Sequence, residues 1–202
     1  MSCDRMKKEI IFVHIPKTAG GSIREICNKK GITVIGHSLR NPDYISIEEY
    51  KKISPKNKFA FAFVRNPWDR VVSAFFYLNQ GGINDADNRD RVKYLKKFNG
   101  NFDLFVRNSF QEGKILEQLH FRPQKEWISN ENKEIIVDFV GKFENLQGDF
   151  NKVCEMFHIK KEVLPITKKT EHDFYKNYYN KETREMIAKT YREDIRLFGY
   201  DF

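Results

Sequence analysis

Cysteine is scarce in this 202-residue chain: only Cys3, Cys27 and Cys154 occur, far apart and odd in number. No C-x-x-C pair or Cys/His cluster exists at zinc spacing, which excludes a disulfide scaffold and a zinc module and leaves reduced, mostly buried thiols as the expectation. Long apolar runs are missing as well; none approaches the ~18 residues of a membrane-spanning helix. The first apolar stretch, Glu9 to Ile15, stops at Pro16 and has the wrong length and flanks for a signal peptide, so it reads as a strand and the chain as cytoplasmic. Six prolines and 11 glycines are too few for a collagen-like or low-complexity chain. Acidic residues are outnumbered, 28 against 36 Lys and Arg, giving a net charge of +8. That balance favours an anionic ligand without choosing among nucleotide, nucleic acid, acidic glycan and membrane surface. The basic pairs, such as Lys29-Lys30 and Lys96-Lys97, are scattered and read as solvated faces.

What the chain has in quantity is phenylalanine, 18 residues, enough with its aliphatics for one domain that buries roughly 70% of its unfolded surface. No internal repeat appears. Glu9–Ile15 is short, β-branched and almost continuously apolar, the pattern of a strand buried on both faces. Ser22–Lys30 places Ile23, Ile26 and Cys27 on one helical face before Gly31, and Ile32–Ile35 is a second buried strand. Strand, helix and strand within about 30 residues make a βαβ unit and hence a parallel sheet. Lys58–Val64 is a third strand. After it Asn66 caps a helix with Pro67 at its first position and Asp69 in its first turn. Asn79–Gly100 is polar and reads as a surface excursion within a single domain, 1–202. Ile135–Phe143 reads as a further strand, Glu144–Phe157 as a helix and Asn180–Phe198 as a last amphipathic helix. The expected class is α/β, a central parallel sheet flanked by helices.

Two segments carry chemistry. Pro16-Lys17-Thr18-Ala19-Gly20-Gly21-Ser22 joins a strand to a helix, where main-chain N–H groups and the helix dipole receive an anion. Gly20 and Gly21 admit close approach, Lys17 supplies a full charge, and Thr18 and Ser22 supply hydroxyls. The lysine precedes the glycines, so this is not G-x-x-x-x-G-K-[ST], and no strand ends in an obvious magnesium-binding aspartate. No metal is expected. The second segment, Arg65-Asn66-Pro67-Trp68-Asp69-Arg70-Val71-Val72-Ser73, begins at a strand's carboxyl end, the rim where open α/β sheets bind ligands. Arg65 and Ser73 suit a second phosphate. Two such sites suggest a nucleotide phosphorylated at two positions. The residues alone leave open a P-loop-kinase-like phosphotransferase and a non-catalytic anion- or nucleic-acid-binding module.

Phe12-Val13-His14-Ile15-Pro16-Lys17-Thr18-Ala19-Gly20-Gly21-Ser22 resembles the 5′-phosphosulfate loop of sulfotransferases that use 3′-phosphoadenosine 5′-phosphosulfate (PAPS), nearest to the carbohydrate branch with the heparan 2-O and chondroitin enzymes. Phe63 to Phe75 resembles that family's 3′-phosphate motif. His120-Phe121-Arg122-Pro123-Gln124, Val140 to Leu146 and Tyr191 to Tyr200 are similar to its later segments. The resemblance implies a P-loop-NTPase-like sulfotransferase fold, PAPS as donor, and an acceptor hydroxyl, on a glycan, with no nucleic acid and no membrane span. It implies that Lys17 stabilises the leaving oxygen, that the main chain of Thr18, Ala19, Gly20, Gly21 and Ser22 holds the 5′-phosphate, and that Arg65 and Ser73 hold the 3′-phosphate. Gly36-His37 matches the segment that carries the family's base, so His37 is the expected base, with His120 as the alternative or, with Gln124, an acceptor contact. Gly21 departs from the threonine or serine usual at its position and removes one hydroxyl. His14 is expected to pack within its strand, and His158 and His172 match nothing.

Overall fold

The computed structural model describes residues 9–36, 58–167 and 170–202. Cys3 and His37 lie outside the described residues. The strands are β1 (Glu9–His14), β2 (Thr33–Gly36), β3 (Lys58–Val64) and β4 (Phe139–Lys142). The helices are α1 (Gly20–Lys30), α2 (Pro67–Asn79), α3 (Asp85–Asp90), α4 (Phe102–Gln111), α5 (Leu146–Met156), α6 (Lys181–Thr190) and α7 (Arg192–Phe198). The chain divides into two compact units, residues 1–64 with 124–167 and residues 65–123 with 168–202.

The first unit holds a parallel four-stranded sheet in the order β2-β1-β3-β4. This is the expected α/β architecture. In β3 the alternation of Phe and Ala separates a bulky face from a flat one. Phe12, Phe61 and Phe63 pack with Ile23, Ile26 and Cys27 of α1 and with Phe150, Val153 and Cys154 of α5. Ile11, Val13, Ala60 and Ala62, on the opposite face, are equally buried, so the strands read as continuous apolar runs. The order puts β1 between β2 and β3, with the chain progressing outward on either side. In such sheets the ligand crevice opens beyond the carboxyl ends of the two central strands, here β1 and β3.

The last strand is shorter than the apolar run Ile135–Phe143 implies. Ile135 bridges antiparallel to Ser129 and the Ile136 N–H bonds the Ile128 carbonyl, so this stretch folds on itself before the sheet begins. Asp138 then joins β3 twice, its N–H to the Ala60 carbonyl and its carboxylate to the Ala60 N–H, both at 2.8 Å. Past β4, the buried Asp149 carboxylate accepts the Lys142 N–H (2.8 Å), the Asn145 amide (3.0 Å) and the Lys152 ammonium (2.8 Å). Burial alone would raise this carboxyl, but the bonds outweigh it and hold it below the usual carboxylate range.

The second unit is a helical cluster. Trp68, Val71, Val72, Phe75 and Leu78 of α2 meet Phe102, Phe105, Val106 and Phe110 of α4, with Ile187 and Tyr191. Asn66 caps α2 as expected, accepting the Trp68 N–H at 3.1 Å. Residues 79–100 are largely helical and send Leu95 and Phe98 into this core. The expected single helix over 180–198 is two helices broken at Tyr191. That side chain is buried and its hydroxyl donates to the Phe121 carbonyl at 2.5 Å, while its φ of −102° leaves the helical range.

Candidate functional site

In the first unit the chain leaves β1 through Ile15 and Pro16 and enters α1 at Gly20. Two residues of this connection, Lys17 (φ 68°) and Ala19 (φ 65°), are left-handed although neither is glycine. That conformation costs about 1–2 kcal/mol for each L-residue and concentrates where a backbone is held for function. Main chain of this kind turns successive N–H groups toward one concave side, a nest for an anion. Among the described residues no side chain caps α1, and its first turn holds no acidic residue, so the turn itself brings no negative charge to the helix's positive end. The Ser22 and Ile23 N–H groups turn back to the Ala19 carbonyl, at 3.0 and 3.3 Å. Lys17 is half-buried at the loop's start. Both expected glycines are thus helical residues, the first two of α1.

The loop's side chains divide differently from the sequence expectation. The Thr18 hydroxyl is buried and donates to the Ile15 carbonyl at 2.9 Å. Its one proton is committed there, and Thr18 has only main chain to offer an anion. Ser22 Oγ lies 3.0 Å from the Thr167 hydroxyl and accepts the Thr167 N–H at 3.4 Å. His14, buried and stacked on Phe12 at 5.8 Å, borders Gly20, where a side chain would strike the imidazole. Neither the Gly20–His14 nor the Ser22–Thr167 contact has a sequence signal: the first depends on how the chain turns between β1 and α1, and the second spans 145 residues.

In the second unit Arg65 follows directly on β3. Its Nε donates to Asp69 Oδ2 at 2.7 Å, an i,i+4 pair that orients the planar guanidinium. Ser73 is buried on α2. The other polar residues of the segment act as ties. The Asn66 amide donates to the Asp201 carbonyl (2.8 Å), the Trp68 indole to the Arg184 carbonyl (3.0 Å), and Arg70 to the Arg122 carbonyl (2.9 Å). Arg70 is wholly buried; burial pushes its guanidinium down, opposed by Tyr191 and the Asp194 carboxylate.

His120, also in the second unit, is buried against the Tyr77 ring at 5.2 Å. Gln118 grips it twice: Oε1 accepts the His120 N–H at 2.7 Å and Nε2 lies 2.9 Å from His120 Nδ1. The first bond fixes the amide orientation, so Nε2 is the donor and Nδ1 the acceptor, and the network assigns the proton to Nε2. In this arrangement Gln118 engages the Nδ1 of the ring. Gln124, in the first unit, is wholly buried at the start of the turn Gln124–Trp127. Among the described residues no three His, Cys, Asp or Glu side chains are grouped to hold a metal ion, and no helix is long and apolar enough to cross a membrane.

The lysine-bearing loop, held in left-handed backbone at the carboxyl end of a central parallel strand, belongs to a chain of the α/β class. Residues 4–201 match the model of the sulfotransferase family, and the chain belongs to that family. An uncharacterised protein of Archaeoglobus fulgidus is 32% identical over 103 residues, which make up 51% of this chain and 70% of that protein. No solved structure gives a significant match.

Proposed function

We propose that the chain moves a sulfuryl group from PAPS to an acceptor hydroxyl on a carbohydrate. The observation that carries this reading is the β1–α1 connection of a sulfotransferase-family chain: left-handed Lys17 and Ala19 lead into a helix whose first turn holds no acidic residue and which no described side chain caps. Those residues fit a phosphosulfate, because the nest and dipole favour an anion and Lys17 brings a full charge. When bound, PAPS supplies an SO₃ group joined to phosphate through an oxygen that leaves as an anion.

In this reading the main chain from Thr18 to Ser22 holds the 5′-phosphate, and Lys17 neutralises charge on the departing oxygen. Arg65, oriented by Asp69, and the hydroxyl of Ser73 hold the 3′-phosphate. His37 takes the acceptor's proton, since an alcohol is a poor nucleophile and imidazole titrates near neutrality. The deciding experiment is transfer of labelled sulfate from PAPS to a panel of glycans, phenols and lipids. Label on a glycan hydroxyl is expected. Label on phenols or lipids alone overturns the carbohydrate acceptor, and no label with any acceptor overturns the activity.

A further inference from the structure

Residue 21 is glycine, and the space a side chain there would enter is filled from elsewhere in the chain. An ideal Cβ on Gly21 comes 3.0 Å from Thr167 Oγ1, the same hydroxyl that lies 3.0 Å from Ser22 Oγ. We infer that Thr167 is a working member of the anion loop: it supplies the hydroxyl that residue 21 lacks, and with Ser22 forms a hydroxyl pair that presents an O–H to the 5′-phosphate of a bound nucleotide. The inference rests on the donor reading above and adds to it a residue remote in sequence.

Proton counting supports the assignment. Ser22 Oγ accepts the Thr167 N–H, and one of the two hydroxyls donates to the other. Two hydroxyls carry two protons, and the contact between them uses one. If Ser22 donates, the Thr167 proton is left; if Thr167 donates, the Ser22 proton is left, so among the described residues the pair keeps one O–H to offer either way. The segment that delivers Thr167 is held in place. The Leu164 N–H donates to Gln147 Oε1 at 2.8 Å, Gln147 Nε2 donates to the Glu162 carbonyl at 3.0 Å, and Glu162 pairs with Lys30 of α1. Leu164 itself is buried in the core with Ile23 and Phe150, three residues before the threonine. A donor set this far fixed before the ligand arrives loses little entropy on binding.

The test is calorimetric titration of the full chain with 3′-phosphoadenosine 5′-phosphate, adenosine 5′-monophosphate and adenosine 3′-monophosphate. Thr167→Val keeps shape and removes the hydroxyl. It is expected to weaken both 5′-phosphorylated nucleotides about tenfold, the scale of a lost bond to a charged group, and to leave the 3′-monophosphate within twofold. Thr167→Ser is expected to restore binding. Gly21→Ser combined with Thr167→Ala, which moves the hydroxyl back into the loop, is expected to recover 5′-phosphate affinity and also serves if the valine variant fails to fold. Unchanged 5′-phosphate affinity in Thr167→Val overturns the inference. So does equal weakening of all three nucleotides, the mark of a merely structural role. Wild-type chain that binds none of them overturns the donor reading and this inference with it, whereas wild-type binding with an indifferent Thr167→Val overturns this inference alone.

Discussion

The His14 imidazole occupies the place of a side chain at residue 20: a Cβ built on Gly20 would come 1.8 Å from the ring. The ring cannot yield easily, because it is buried and stacked on Phe12 at 19° between planes. Gly20→Ala is therefore expected to destabilise the chain by about 1–3 kcal/mol, the range for overpacking. Adding His14→Ala to that variant should return most of the loss, a coupling that a double-mutant cycle by urea unfolding reads directly. Strictly additive costs would show that ring and loop do not press on each other.

In the proposed reading, Lys17 sets stability against activity at one position. Its left-handed φ of 68° suits glycine better than lysine. Lys17→Gly is expected to raise the melting temperature, corresponding to about 1 kcal/mol of relieved backbone strain, while turnover falls at least about a hundredfold for want of a cation beside the leaving oxygen. Nucleotide affinity should fall less than kcat, since the charge matters most in the transition state. A variant with near wild-type kcat and only a raised KM would make Lys17 a ground-state contact.

For Arg65 the measurement is discrimination between nucleotides. The wild-type chain is expected to bind 3′-phosphoadenosine 5′-phosphate much more tightly than adenosine 5′-monophosphate, and to keep that preference in EDTA. Arg65→Ala should weaken the bisphosphate by roughly tenfold to a hundredfold, on the scale of charge-assisted hydrogen bonds, and leave the monophosphate nearly unchanged. Equal affinities in the wild type would remove the 3′-phosphate assignment.

His37→Ala is expected to lower kcat by on the order of 10²–10⁴ with product-nucleotide affinity within a few fold. The wild-type rate should decline at acidic pH as the imidazole protonates. His120→Ala is expected to keep most of its turnover, because Gln118 already holds the basic nitrogen of that ring. The opposite pair of results would move the base to His120.

Cys27 gives the alkaline side of the stability curve. Burial, reinforced by the neighbouring Cys154, pushes its thiol up to about 12 from an ordinary value near 9. Between those values the folded chain keeps a proton that the unfolded chain gives up. This group's contribution is thus whole below about 9 and is lost as pH rises toward about 12. Urea titrations from neutral to alkaline pH should show that decline, and it should flatten in Cys27→Ala. Iodoacetamide should leave Cys27 unmodified until the chain unfolds.

The parts of this fold that were readable from sequence are those whose pattern is local. Lys58–Val64 is continuously apolar after its first residue and is followed by Arg65, and its limits match β3. Asn66-Pro67 announces the start of α2 because cap and φ restriction act within two residues. Ile135-Ile136-Val137 misled because an apolar run does not say whether its partner is the sheet or the preceding turn, and Ser129 proved to be the partner. Phe102, Phe105, Val106 and Phe110 carry a clear helical period after Asn101, and that local signal matches α4. At the site, the loop was legible through Lys17 and its glycines. The commitment of the Thr18 hydroxyl to Ile15 and the arrival of Thr167 beside Ser22 were not, since both depend on where the backbone folds back.

Because β4 comes late, the order of synthesis leaves a gap in the sheet. Ala60 meets Asp138, 78 residues further on, and everything between them must leave the ribosome first. At roughly 5–20 residues per second that wait lasts on the order of 4–16 s. Throughout it the nascent chain carries the apolar strand Lys58–Val64 with one row of N–H and C=O groups unmatched, an invitation to pair with another chain. Translation speed across this interval, and chaperone access to the growing polypeptide, should therefore govern how much of the product escapes aggregation.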